Sequence, residues 1–109
     1  MTQSPWHRVA RSDALEAGRM LAVEIDGREI VLCHSREGWH ALDNICSHAY
    51  AKMSEGRLRG TRLICPLHGA SFDVRNGAVL GAPATRGLAS HQVRITDDGH
   101  VEVALSEPA

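Results

Sequence analysis

Aromatic side chains are scarce in this sequence: Trp6, Trp39, Tyr50 and Phe72 are the whole set in 109 residues. So short a chain makes one domain, spanning 1–109, with only a modest core, and domains of this size often draw stability from a disulfide or a metal. No apolar run approaches the ~20 residues that a membrane-spanning helix needs, so no membrane partner is expected. Neither sign of charge dominates, with 12 Lys and Arg against 13 Asp and Glu and a net charge of −1. The charges are scattered, with no basic stripe and no interleaved aromatics, which removes the electrostatic basis for nucleic-acid binding and leaves no patch to steer a partner. Cysteine is odd in number, at three. With no positively charged start followed by an apolar stretch, that argues against a secreted disulfide scaffold and for a reducing cytoplasm.

What the chain does have is short β-like runs between turn residues. Trp6 to Val9 reads as a first strand, and Ser12-Asp13 can cap a short helical turn through Leu15 that Gly18 closes. Met20–Ile25 and Glu29–His34 flank Asp26-Gly27, a two-residue hairpin signal. Trp39–Leu42 follows the turn at Glu37-Gly38, residues 43–60 read as irregular, and Leu63–Cys65 resumes a strand. After a second irregular stretch, Gln92–Ile95 and Val101–Leu105 pair across Asp97-Asp98-Gly99. In the last of these Val101, Val103 and Leu105 alternate with Glu102 and Ala104, as a half-buried strand should. The fold class is therefore all-β, a meander with one long insertion at about 43–86. A long irregular loop in a small domain is usually functional.

That insertion holds the chemistry. Seven histidines is a high count for this length, and two of them sit beside cysteines. Cys46-Ser47-His48 and Cys65-Pro66-Leu67-His68 are two compact pairs, each offering one thiolate and one imidazole. A two-iron cluster with thiolates on one iron and imidazoles on the other needs two such loops facing each other. Zinc accepts the same donors, but zinc sites usually space cysteines as Cys-x₂₋₄-Cys, and neither loop does.

Cys-x-His followed by Cys-x-x-His at this separation resembles the Rieske motif, and the resemblance covers most of the chain. His68-Gly69-Ala70-Ser71-Phe72-Asp73 is similar to the run after the family's second pair. Gly81-Ala82-Pro83-Ala84 is similar to its proline loop, and Met53-Ser54-Glu55-Gly56 to the stretch after the first pair in ferredoxins of aromatic-ring dioxygenase systems. The resemblance implies an antiparallel β-sandwich with a cluster-binding subdomain made by two loops. It implies a [2Fe–2S] cluster with Cys46 and Cys65 on the inner iron and His48 and His68 on the outer one. Gly69 would let the backbone approach the cluster where a side chain would crowd it, and Pro66 and Pro83 would stiffen the loops.

The departures from the family pattern carry information too. High-potential Rieske proteins resemble one another in an extra disulfide and in Ser and Tyr hydroxyls directed at sulfur. The matching positions here are Ala51 and Leu67 for the disulfide, and Ala70 and Phe72 for the hydroxyls. Without those donors the potential is expected near the low end of the Rieske range, roughly −150 mV.

The implied function is a monomeric electron carrier, not itself an enzyme, between a flavin-containing NAD(P)H-dependent reductase and the terminal oxygenase of an aromatic-ring-hydroxylating dioxygenase system. The chain ends soon after the last hairpin, leaving no room for a 2-His-1-carboxylate iron domain. The alternatives are a Rieske-like small subunit of a larger reductase and a zinc-stabilised interaction module. Cys33 is expected as a packed core thiol, and most of His7, His34, His40, His91 and His100 as ordinary surface or strand residues. Asp73 is expected to fix a loop by hydrogen bonding, Tyr50 to sit at a ligand-loop tip, and Glu102 and Asp97-Asp98 to be solvated.

Overall fold

The hairpin at Asp26-Gly27 forms as its residues require. A computed structural model describes residues 5–47, 51–67 and 69–106, and in it both turn residues take positive φ, 52° and 80°. That is the type I′ geometry whose twist matches the flanking strands, here β2 (Arg19–Ile25) and β3 (Arg28–Ser35), paired from Ile25↔Arg28 to Arg19↔His34. β4 (Gly38–Asp43) adds to β3, and β9 (Ser90–Ile95) adds to β4. β10 (His100–Ala104) and β1 (Trp6–Arg11) complete a six-stranded sheet in the order β1-β10-β9-β4-β3-β2. Its two edges approach one another, with His7 of β1 3.6 Å from Asp26 at the tip of the β2–β3 hairpin.

Between β4 and β9 the chain builds a second sheet from strands of three residues each: β5 (Arg57–Arg59), β6 (Arg62–Ile64), β7 (Ser71–Asp73) and β8 (Val79–Gly81), hydrogen-bonded in that order. A single 3₁₀ turn at Met53–Glu55 precedes it. The strand expected at Leu63–Cys65 is β6, one residue earlier, and the stretches expected to be irregular on either side of it hold β5, β7 and β8. Three-residue strands are too short to display a period-2 pattern, which is why the sequence did not reveal those three.

β3 explains how the two sheets share one molecule. Ile30 and Leu32 face one apolar cluster, with Ile25, Ala41, Val101 and Val103. Val31 and Cys33 face the other, with Leu42, Met53, Leu63, Phe72 and Val74. Because successive side chains alternate across a strand, a strand covered on both faces reads as a continuous apolar run, and Ile30–Cys33 is that run.

Two local expectations need correction. Residues 12–18 form turns and bends, with no helical turn. The Ser12 N–H donates to the Gly99 carbonyl at 2.8 Å and Asp13 accepts from Arg11, so neither residue caps a helix. Glu102 is not solvated either: its side chain is 12 % exposed and takes Arg94 at 2.8 Å, with Arg8 at 3.6 Å. Asp98 in the neighbouring turn accepts from Thr96 and meets Arg8 and His100. Among the described residues no helix is long and apolar enough to cross a membrane.

Ile30→Ala removes a fully buried side chain from beneath the larger sheet and should lower stability by about 2–5 kcal/mol in chemical denaturation. Ile95→Ala, at a position 45 % exposed, should stay within about 0.5 kcal/mol of the parent.

Candidate functional site

The first cysteine loop begins where β4 ends, on a buried asparagine. Asn44 donates its N–H to the Glu29 carbonyl at 2.9 Å, and its own carbonyl accepts from Met53 N–H at 2.6 Å. Its side-chain Oδ1 accepts from Ser54 N–H at 2.7 Å. The base of the loop is thereby tied to β3 on one side and to the 3₁₀ turn on the other. The loop then closes on itself, with Cys46 N–H donating to the Ala51 carbonyl at 2.8 Å. The second loop, which leaves β6, repeats the device: Cys65 N–H donates to the Ala70 carbonyl at 2.7 Å. In both loops the cysteine bonds to the carbonyl five residues on.

These closures direct the two thiols at each other. Cys46 and Cys65 are 5 % and 2 % exposed and lie within hydrogen-bond reach of one another. No disulfide joins them. Burial raises the Cys65 thiol above its ordinary value, the Leu67 N–H aimed at its sulfur opposes that, and the neighbouring Cys46 thiol adds to it. Two thiols converging from separate loops in a dry pocket match the thiolate half of a mixed Cys/His cluster. The imidazole half, His48 and His68, lies outside the described residues, as does Tyr50.

A third segment packs beside the loops. Ala84 and Leu88 are buried in the same apolar cluster as both cysteines, and Leu88 N–H donates to the Gly77 carbonyl at 2.9 Å. Ser47, inside the first loop, donates its hydroxyl to the Arg86 carbonyl. Pro83 of this segment follows a cis peptide bond and is exposed. Gly69 takes φ 73°, and among the described residues no atom beyond its chain neighbours lies within 4 Å of where its Cβ would stand. Its left-handed backbone, not crowding by the protein, is what calls for glycine there.

The residues set aside as ordinary divide. Cys33 is fully buried, and burial pushes its thiol up to about 12. Asp73 does fix a loop: its carboxylate accepts from the Arg75 backbone N–H at 2.9 Å and from the Arg75 guanidinium at 3.0 and 2.9 Å. That hydrogen-bonded guanidinium holds Asp73 below the usual carboxylate range, against the opposing effect of burial. His34 stacks on Trp39 with ring centroids 4.0 Å apart, and His40 bonds Ser35 at 2.9 Å.

His91 is not an ordinary strand residue. Its side chain is inaccessible, and the Ser106 N–H donates to its Nδ1 at 3.0 Å. The ring proton therefore sits on Nε2, which donates to Asp43 at 2.9 Å. Arg28 bonds both Asp43, at 3.1 Å, and the Ser106 carbonyl, at 2.9 Å. Burial would raise the Asp43 carboxyl, but the His91 hydrogen bond and the Arg28 charge outweigh it and hold it below its ordinary value. The sequence carried no signal for this network or for Asn44, because their partners are dispersed along the chain.

The Rieske [2Fe-2S] domain family model matches residues 5–92, which takes in both loops. The ferredoxin component of a naphthalene 1,2-dioxygenase system from Pseudomonas putida is 42 % identical over 87 residues, covering 80 % of this chain and 83 % of that protein. The ferredoxin of carbazole 1,9a-dioxygenase from Nocardioides aromaticivorans IC177 superposes with a TM-score of 0.89 at 31 % identity, over 94 % of this chain and all of that one. The ferredoxin in a complex of reduced oxygenase and oxidized ferredoxin of carbazole 1,9a-dioxygenase gives a TM-score of 0.89 at 28 % identity, over 95 % and 96 % of the two chains.

The lowered Asp73 carboxyl sets a pH dependence. A group whose pKa falls on folding stabilises the native state above its unfolded pKa, and that stability is lost as pH falls through the folded value. Asp73→Asn should cost about 1–3 kcal/mol at pH 7. In paired denaturation curves the gap from the parent should close as pH falls through the depressed carboxyl pKa. A gap that persists in acid would mean that the loss came from packing.

Proposed function

Because this chain belongs to the Rieske [2Fe–2S] domain family, we propose that it is the electron-transfer ferredoxin of an aromatic-ring-hydroxylating dioxygenase system. It carries single electrons from a flavin-containing NAD(P)H-dependent reductase to the terminal oxygenase. The observation that supports this most directly is the pair of buried thiols, Cys46 and Cys65, brought together by two loops of the same build. Cys46, His48, Cys65 and His68 would hold the cluster. The [2Fe–2S] group supplies a one-electron couple, and mixed thiolate and imidazole ligation sets it above that of all-cysteine ferredoxins.

The chain's own residues set the environment of that couple. Ala70 and Phe72 are fully buried and carry no hydroxyl to aim at sulfur. Between them Ser71 does carry one, but it accepts from Arg62 at 2.9 Å on the opposite face of β7. With no donor from these positions the potential belongs at the low end of the Rieske range. Such a carrier turns over no substrate of its own, and we read it as a cytoplasmic monomer that binds neither membrane nor nucleic acid.

Anaerobically reduced protein should give a rhombic electron paramagnetic resonance signal of low average g. Iron and sulfide should be present in equal amounts, with a midpoint near about −150 mV. Cys46→Ala, His48→Ala, Cys65→Ala and His68→Ala should each abolish that signal. A silent spectrum with bound zinc would replace this reading by a structural or interaction module.

A further inference from the structure

The near-neutral total conceals an uneven division of charge. Residues 44–89, which carry both cysteine loops and the small sheet, hold Lys52, Arg57, Arg59, Arg62, Arg75 and Arg86 against only Glu55 and Asp73, a net of +4. The remainder of the chain carries −5. Ion pairing is uneven as well: within residues 44–89, Lys52 meets Glu29 and Arg75 meets Asp73 and Glu37. Arg8, Arg11, Arg28 and Arg94, all on the larger sheet, each meet a carboxylate. Among the described residues, Arg19, Arg36, Arg57 and Arg59 form no ion pair, and Arg62 donates to the Ser71 hydroxyl but meets no carboxylate.

The register of the small sheet gathers these free cations on one face. Arg57 and Arg59 alternate with the inward Leu58, and Arg59 stands directly opposite Arg62. Asp73, which the register places opposite Arg62 on the other side, is committed to Arg75. Arg36 reaches in from the turn between β3 and β4, its guanidinium 3.8 Å from where a Cβ on Gly60 would stand. Arg19, at the start of β2, lines one cleft of about 390 Å³ with Arg57 and Arg59. Arg57 also lines the adjoining cleft with Cys65, Pro66 and Gly69, together with the carboxylate of Glu55. The arginine face thus runs up to the second cysteine loop.

Folding does not account for this face. Like charges directly opposite on neighbouring strands destabilise a sheet. Charge on the edge strand β5 does discourage pairing with a second chain, but Arg62 is on the inner strand β6, where a carboxylate would have relieved the repulsion. Nucleic acid is a poor occupant, because Phe72, the aromatic residue of this sheet, is buried and offers no base a stacking surface. A cationic face beside a redox loop suits steering of an anionic protein surface, which raises encounter rates and fixes orientation.

We propose that Arg19, Arg36, Arg57, Arg59 and Arg62 form a docking face for the acidic surface of a protein redox partner. The proposal rests on the electron-carrier reading above. Stopped-flow oxidation of the dithionite-reduced protein tests it, with plastocyanin as an acidic acceptor and cytochrome c as a basic one. The plastocyanin rate should fall about tenfold between about 20 and 500 mM salt, while the cytochrome c rate stays level or rises. Arg57→Gln/Arg59→Gln should lower the low-salt plastocyanin rate about tenfold and flatten its salt dependence, with the resonance signal and midpoint unchanged. Arg57→Lys/Arg59→Lys should retain both the rate and the salt dependence. Equal plastocyanin rates and salt slopes in parent and glutamine variant would overturn the proposal. So would tight binding of duplex DNA that the glutamine variant loses. A parent with no Rieske signal, oxidised by neither acceptor, would instead overturn the electron-carrier reading.

Discussion

Two backbone hydrogen bonds of the same kind, Cys46 N–H to the Ala51 carbonyl and Cys65 N–H to the Ala70 carbonyl, are the contacts on which the site depends. Each is worth only about 0.5–1.5 kcal/mol net. Their importance is geometric, since each turns a loop back so that its thiol faces the other across a dry space. A loop left open there would bury unpaired backbone groups, which costs more than the bond itself contributes. Asn44 performs the same service one step earlier, binding the first loop to β3 and to the 3₁₀ turn through three hydrogen bonds.

The closures are stable because the loops stand on shared apolar ground. Cys46, Cys65, Ala84 and Leu88 belong to the same buried cluster as Val31 and Leu42 of the larger sheet and Leu63 and Phe72 of the smaller one. The redox loops are therefore part of the core, and the smaller sheet could not tilt without displacing them. That rigidity suits electron transfer, in which atoms that stay put between oxidation states lower the barrier. The His91–Asp43–Arg28 network extends the support, tying the end of β4 to the backbone at Ser106.

The two cysteine loops that converge in the structure were legible because Cys46-Ser47-His48 and Cys65-Pro66-Leu67-His68 are written locally in the chain. The β2–β3 hairpin was legible because Asp26-Gly27 demands one backbone geometry. Of the small sheet only β6 was, since each strand has three residues and β5, β7 and β8 declare themselves only through their pairing. His91 looked ordinary because burial and the Asp43 contact belong to tertiary structure. Charge was the least legible feature of all. Net charge and linear scatter gave no patch, whereas the β5–β6 register sets Arg59 against Arg62 and the fold brings Arg19 and Arg36 to the same side.

Cys33 shares an apolar cluster with Cys46 and Cys65, yet burial alone acts on it and pushes its thiol up to about 12. Such a sulfur keeps its proton at cellular pH, and a protonated thiol neither captures iron nor attacks another sulfur. Burial raises Cys65 as well, but there the Leu67 N–H directed at its sulfur opposes the rise, an aid that Cys33 lacks. The sulfur on β3 is thereby set aside as packing material, a silent member of a cluster in which the two loop sulfurs face each other.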